Sequence, residues 1–226
     1  MSTMKRKRLL SEEAPNYSSF EEMINYTSHF IGVLFGIFAL FYVINVQIKT
    51  PLDTLKFASL LTYTVSMILL YLVSFSYHLS KPSSPHKRIL RVLDHNTIYL
   101  LIAGTYFPVV CLSLSIMSII IVMSVEVLCI IIGVILNLTS FHNNATKIIT
   151  TVIYVVMGWV LICFWETYTM ISFRSFLYIL AGGILYSIGV LFYALGKKKK
   201  YFHSIFHFFV LFGTIIQFLG IINMIR

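Results

Sequence analysis

Charge is what this chain has least of. Only 11% of its 226 residues are Asp, Glu, Lys or Arg, just eight of them acidic, while 58% are apolar. A soluble domain has about 25% charged and about 45–50% apolar residues. A water-soluble globule is therefore excluded, and an integral membrane protein is expected. Cysteine is almost as scarce. Cys111, Cys129 and Cys163 stand isolated in apolar runs, which gives no basis for a disulfide framework or a thiolate zinc site. The opening "KRKR" is not followed directly by an apolar stretch and a small-residue cleavage site, so no cleaved leader is expected.

What the chain does have is long apolar runs. A helix crossing about 30 Å of hydrocarbon needs about 20 apolar residues. Residues 30–48 and 57–77 meet that length without a charge. Residues 95–146 hold one charge, Glu126, and are too long for one crossing; the serine-rich "SLSIMS" at 113–118 reads as the turn between two. Residues 148–165, 175–196 and 202–225 complete seven spans. The expected fold is an all-α seven-transmembrane helix bundle, with residues 1–29 as an N-terminal segment and 30–226 as one membrane domain. The polar stretch 17–28 is compatible with an interfacial helix. Gly32 and Gly36 in "GVLFG" give the first span a small-residue face for close helix packing, and Gly182, Gly183 and Gly189 can do likewise in the sixth.

The net charge of +9 is accounted for by topology. With the N-terminus inside, the inner segments hold Lys5, Arg6, Lys7, Arg8, Lys81, Lys87, Arg88, Arg91, Lys147 and the run 197–200, thirteen of the seventeen basic residues. Lys49, Lys56, Arg174 and Arg226 fall outside. Lysine and arginine concentrate in cytoplasmic loops, so the chain is expected N-terminus in and C-terminus out. The same count removes nucleic acid as a partner and leaves membrane lipids, with anionic headgroups favoured on the basic side.

The polar residues converge at one depth in that topology. His203 and His207 open the seventh span, His78 ends the second and Asp94 begins the third. Imidazoles at i and i+4 lie on one helical face. Three histidines with an open fourth position are the arrangement of a catalytic zinc, which lowers the pKa of a bound water to about 7. Asp94 could orient that water and take its proton, and Ser74, one turn before His78, faces the same place. A pair of packed, hydrogen-bonded histidines is the bland alternative. His86 and His142 fall in loops, and His95 points about 100° away from Asp94 on a helix, which suits packing. Glu126 is an isolated carboxylate deep in the fourth span, to be neutral or paired in the bundle, with a proton or transport role as the sharper reading. Glu166 belongs at the outer interface, and Pro108 reads as a kink in the third helix.

"EEMINYTSH" carries Glu22, Asn25, Ser28 and His29 in an E-x-x-N-x-x-S/T-H pattern. "SFSYH" carries Ser74 and His78, followed by Asp94, and "HSIFH" carries His203 and His207. In this order, on seven spans, the set resembles the hemolysin III family, the microbial branch of the progestin and adipoQ receptors, from about Glu21 to the end. The resemblance implies a zinc near the cytoplasmic face, with His78, His203 and His207 as ligands and Asp94 holding the zinc-bound water. It also implies ceramidase-type amide hydrolysis for some members and a lytic phenotype for bacterial ones. The segment before the first span is short beside that of the animal receptors, so no adiponectin-type ligand is expected.

The function expected is therefore a Zn2+-dependent hydrolase of a lipid amide or ester bond, multi-pass in the cell membrane, with Asp94 and Ser74 as catalytic candidates. A membrane-lytic (cytolysis) protein or a receptor-like lipid sensor, either with a structural zinc, is the alternative. His29 is a conceivable fourth ligand that would close such a zinc.

Overall fold

The computed structural model describes residue 15 and residues 17–82, 84–196 and 199–225. The basic cluster at 5–8, two lysines of the 197–200 run and Arg226 lie outside the described residues.

Among the described residues eight helices follow in order: α1 Ser19–Lys49, α2 Thr54–Leu79, α3 Pro85–Ser113, α4 Ile116–Ser140, α5 Asn144–Trp159, α6 Trp165–Met170, α7 Phe173–Gly196 and α8 Phe202–Met224. A short 3-10 turn, Val160–Cys163, continues α5. Among the described residues seven helices are long and apolar enough to cross a membrane, α5 being counted with its 3-10 turn. This is the seven-span all-α bundle expected, and the break between α3 and α4 falls within 113–118, narrowed to residues 114–115.

Polar caps mark where the helices start. Ser18 and Glu21 form a reciprocal capping box on α1, and Asp53, Ser84, Ser115 and Asn143 each accept a backbone N–H in the first turn of α2, α3, α4 and α5. The capping box corrects one expectation. Residues 19–28 are no separate interfacial helix but the first turns of α1 itself. Pro108 sits inside α3 without ending it. The fifth span departs from the apolar run 148–165, since its α-helix stops at Trp159. Glu166 then lies half-buried in the first turn of α6, and its carboxylate accepts from Ser115 N–H at 3.1 Å. That bond holds its pKa below the ordinary carboxylate range.

Helices α1 to α5 each pack on the next, α7 packs on α8 and also meets α5, α1 also meets α8, and α3 touches α2, α4, α5, α6 and α8. The least apolar span, α3, thus lies in the middle, while α4 and α7 turn most of their surface to lipid. Gly32 on α1 sits directly against the Tyr71 ring, and a Cβ on Gly36 would come 2.8 Å from Ile68 Cγ1, so the small-residue face of α1 does pack on α2. Gly182 does the same on α8, where a Cβ would stand 3.0 Å from Gly213 O; Gly183 instead looks toward Trp159. Tyr71 and Tyr186 both bond Thr214 Oγ1, at 2.8 and 2.7 Å, linking α2, α7 and α8 in mid-bundle.

Candidate metal centre and the cavity beside it

The ends of α2 and α7 and the starts of α1, α3 and α8 meet at one end of the bundle, and four histidines meet there with them. The nitrogens of His29, His78 and His207, all buried, lie within 4.8 Å of one another. His29 is ring-to-ring with His207 at 4.2 Å and with His78 at 5.5 Å. His203 adjoins the group, its ring 4.3 Å from His207 and 5.4 Å from His78, and it stacks on Tyr17 at 4.8 Å. Burial drives the Tyr17 phenol above its ordinary pKa, so it stays protonated.

The N-terminal helix builds this site as much as the two expected spans do. Glu22, Asn25 and His29 lie at i, i+3 and i+7, on one face of α1. Glu22 bridges two partners: His78 Nδ1 donates to one carboxylate oxygen at 2.7 Å, and Lys87 Nζ donates to the other at 2.6 Å. Lys87 is 2% exposed, and its ion pair keeps Glu22 an acceptor. A carboxylate partner calls for the His78 proton on Nδ1, which leaves Nε2, buried without a hydrogen-bond partner, as the nitrogen with the lone pair. Asn25 Oδ1 accepts from the Ser204 hydroxyl at 2.7 Å, and Glu21 accepts from Tyr201 N–H at 2.9 Å. Tyr201 has φ 64°, the only positive φ at a non-glycine among the described residues. A left-handed tyrosine costs about 1–3 kcal/mol, and its N–H bond to Glu21 pins the turn that delivers His203 and His207. Glu22, Asn25 and His29 thus tie α1 to the starts of α3 and α8 and the end of α2.

The fit of this site to a metal can be tested on its unpaired atoms. His29 Nδ1 and Nε2, and Nε2 of His78, His203 and His207, are buried without a hydrogen-bond partner. Leaving one buried polar atom unsatisfied costs about 1–3 kcal/mol. Several such nitrogens facing one another disfavour the bland reading of packed, hydrogen-bonded histidines. They suit a divalent cation that takes imidazole, zinc foremost.

Ser74 and Asp94 are where the sequence places them, on α2 and α3 beside the histidines, with the Ser74 hydroxyl donating to Asp94 Oδ1. Both line a cavity of about 630 Å³ together with His29, His203 and His207. That size is within the range of about 300–1,000 Å³ typical of ligand sites. The cavity runs on to Thr105, Tyr186 and Gln217. Gln217 is ten residues beyond His207, about 15 Å further along α8.

The other candidates are dispersed. His86 and His142 are exposed, His142 in a turn as expected but His86 in the first turn of α3 rather than in a loop. His95 packs on Phe141 at 4.9 Å. Glu126 is wholly buried in α4, and neither carboxylate oxygen has a hydrogen-bond partner. The three cysteines are free. The sequence assigns Lys87 and Tyr17 no role in the site, and it offers Glu22, Asn25 and His29 only as a structural tie between the N-terminal segment and the helix ends, which is the place they take. The 3- and 7-residue spacing of Glu22, Asn25 and His29 was the signal available for these three.

Seven apolar helices around a histidine-lined cavity define a multi-pass integral membrane protein with a candidate metal centre. Comparison with known proteins narrows the class. The family described as "Haemolysin-III related" matches residues 17–218. The chain is 36% identical over 208 residues to a hemolysin-3 homolog of Bacillus subtilis (strain 168), covering 88% of this chain and 91% of the relative. It is 34% identical over 207 residues to hemolysin-3 of Bacillus cereus, covering 88% and 89%. The chain belongs to the hemolysin III family.

Proposed function

We propose that this protein is a zinc-dependent membrane hydrolase that cleaves an amide or ester bond of a lipid. The observation that supports it most is the group of unpartnered histidine nitrogens beside a Ser74-bound Asp94, at the wall of a cavity that continues into the bundle. His78 and His207 would hold the metal, with His203, at i,i+4 from His207, as the third residue offered to it. Zinc, when bound, supplies a Lewis acid and a water acidified to near neutrality. The chain's own residues do the rest. Glu22 keeps His78 in the tautomer that presents Nε2. Ser74 orients the Asp94 carboxylate, which is placed to accept a proton from the attacking water and return it to the leaving group. The apolar walls beyond Asp94 take the acyl chain and set the scissile carbonyl at the histidines. With thirteen of the seventeen basic residues on that side, we place the site at the cytoplasmic face of the cell membrane.

The experiment is to incubate purified protein with N-acylated and ester lipids and follow released fatty acid. Release that stops on chelation and returns with zinc supports the reading; a broad panel with no zinc-dependent release overturns it.

A second reading has a specific observation in its favour. His29 is within ligand reach of His78 and His207, and as a fourth ligand it would close the coordination and make the zinc structural. The protein would then be a lytic factor, in keeping with the names of its Bacillus relatives, or a lipid sensor. His29→Ala separates the two: a structural zinc is lost with this side chain, whereas the hydrolase keeps it.

A further inference from the structure

The cavity begins at imidazoles and ends at a carboxamide. His203, His207, Val210 and Gln217 line it at successive steps of four, three and seven residues, one face of α8. Gln217 is 8% exposed, and its Oε1 is buried without a hydrogen-bond partner. Asn223, six residues on and about 9 Å nearer the opposite end of the bundle, is the contrast. Its amide donates to Ser172 and Ser175 at 3.1 and 2.8 Å.

Close packing places the Gln217 side chain. A Cβ on Gly182 would stand 3.1 Å from Gln217 Cδ and 3.0 Å from Gly213 O, so glycine at 182 is what lets the amide lie against α7. Its oxygen nevertheless stays unpaired. An unsatisfied amide in an apolar interior is destabilising where a leucine of similar size would not be. A buried water is a poor remedy, since it needs about two to four polar partners. Of the hydroxyls lining that part of the cavity, Thr105 donates to Leu101 O at 2.7 Å and Tyr186 is bonded to Thr214 Oγ1 at 2.7 Å. Both are already engaged with the protein.

Gln217 is about 15 Å along α8 from His207, and an extended carbon chain with bonds of about 1.5 Å advances about 1.25 Å per carbon. A chain whose carbonyl sits at the histidines therefore passes the amide about a dozen carbons on. We infer that Gln217 is a chain-reading subsite: the cavity takes a lipid whose acyl chain carries a hydroxyl at about that distance from the carbonyl, and the amide hydrogen-bonds it. A half-turn of the carboxamide exchanges its donor and acceptor, and a hydroxyl is both, so it suits either orientation. In the hydrocarbon of a bilayer such a hydroxyl has no partner, so each group satisfies what the other lacks. This names a substrate class for the proposed hydrolase and rests on that reading for the word substrate; the binding stands or falls separately.

The test is competition for the cavity by single-chain probes in the full-length protein and in Gln217→Leu, which removes the amide and keeps its bulk. The probes are oleate, ricinoleate (oleate carrying one hydroxyl at about that distance from its carboxylate) and α-hydroxyoleate, whose hydroxyl adjoins the carboxylate. Measured against oleate, ricinoleate should bind roughly tenfold tighter to the unmodified protein than to Gln217→Leu. The α-hydroxy acid should not distinguish the two. Gln217→Met, apolar and unbranched, replaces the leucine variant if helix content falls. A ricinoleate-to-oleate ratio that neither variant changes would overturn the inference and leave the amide to buried water. An equal gain from Gln217 for α-hydroxyoleate would also overturn it, because the register would be wrong. Lipid cleavage by the unmodified protein with no such binding preference would sink the subsite and leave the hydrolase. A preference that Gln217→Leu abolishes, in a protein that cleaves no lipid, would keep the subsite and sink the hydrolase.

Discussion

Glu22 and His78 are 2.7 Å apart, carboxylate to Nδ1, although they belong to different helices, and the other Glu22 oxygen is 2.6 Å from Lys87 Nζ. One carboxylate thus fixes a histidine tautomer and neutralises a buried lysine at once. Carboxylate–imidazole pairs of this kind typically contribute about 10–100-fold in metal affinity.

Glu22→Gln should therefore weaken zinc binding by about 10–100-fold, measured by competition with a chromogenic chelator. The change also strips Lys87 of its ion-pair partner, so the companion variant carries Lys87→Met as well. Affinity that stays high in the double variant would show that Glu22 serves only Lys87.

Asp94→Asn keeps the size of the side chain and its bond to Ser74 while removing the base. Zinc content should be unchanged, and hydrolysis should fall by a factor of about 10²–10⁴. Hydrolysis at the full rate in this variant would keep the enzyme and remove Asp94 from its mechanism.

The spans were legible because hydrocarbon thickness sets a length that apolar runs reveal, and the Gly32 face was legible because only glycine lets α1 approach the Tyr71 ring. Two boundaries were not. Hydropathy starts the first span at its apolar run, yet α1 begins at Ser19 because a capping box, a local hydrogen-bond device, sets it. Hydropathy likewise carries the fifth span to residue 165, while its helix turns 3-10 after Trp159; nothing in an apolar average reports a backbone hydrogen-bond change. The site was half visible. Ser74, His78, Asp94, His203 and His207 sit at one end as their span positions imply, but His29 and Glu22 act through a tertiary approach of α1 to α2 and α8. The E-x-x-N-x-x-S/T-H pattern and its shared helical face marked both residues, but not the partners they meet.

That approach of α1 to α2 predicts a stability contrast between two glycines. Gly32→Val would drive methyl groups into the buried Tyr71 ring and should cost about 1–3 kcal/mol. Gly158→Ala meets nothing within 4 Å and should be neutral or slightly stabilising. Thermal unfolding in detergent reads both, and equal melting temperatures would mean α1 can shift away from α2 freely.

Orientation is testable by single cysteines placed in a cysteine-free background. Positions 81 and 200 should be shielded from an impermeant thiol reagent added to intact cells, and position 174 should react. Reaction at position 200 from outside would invert the bundle and move the histidine end to the outer face.

The account turns on whether the buried histidines hold a metal. His78 and His207 belong to both candidate ligand sets, so the direct measurement is the zinc content of the purified protein and of His78→Ala/His207→Ala, with helix content checked in each. About one zinc per chain in the first and none in the second, at equal helix content, is the predicted result. The same zinc content in both would contradict the metal centre and the function built on it.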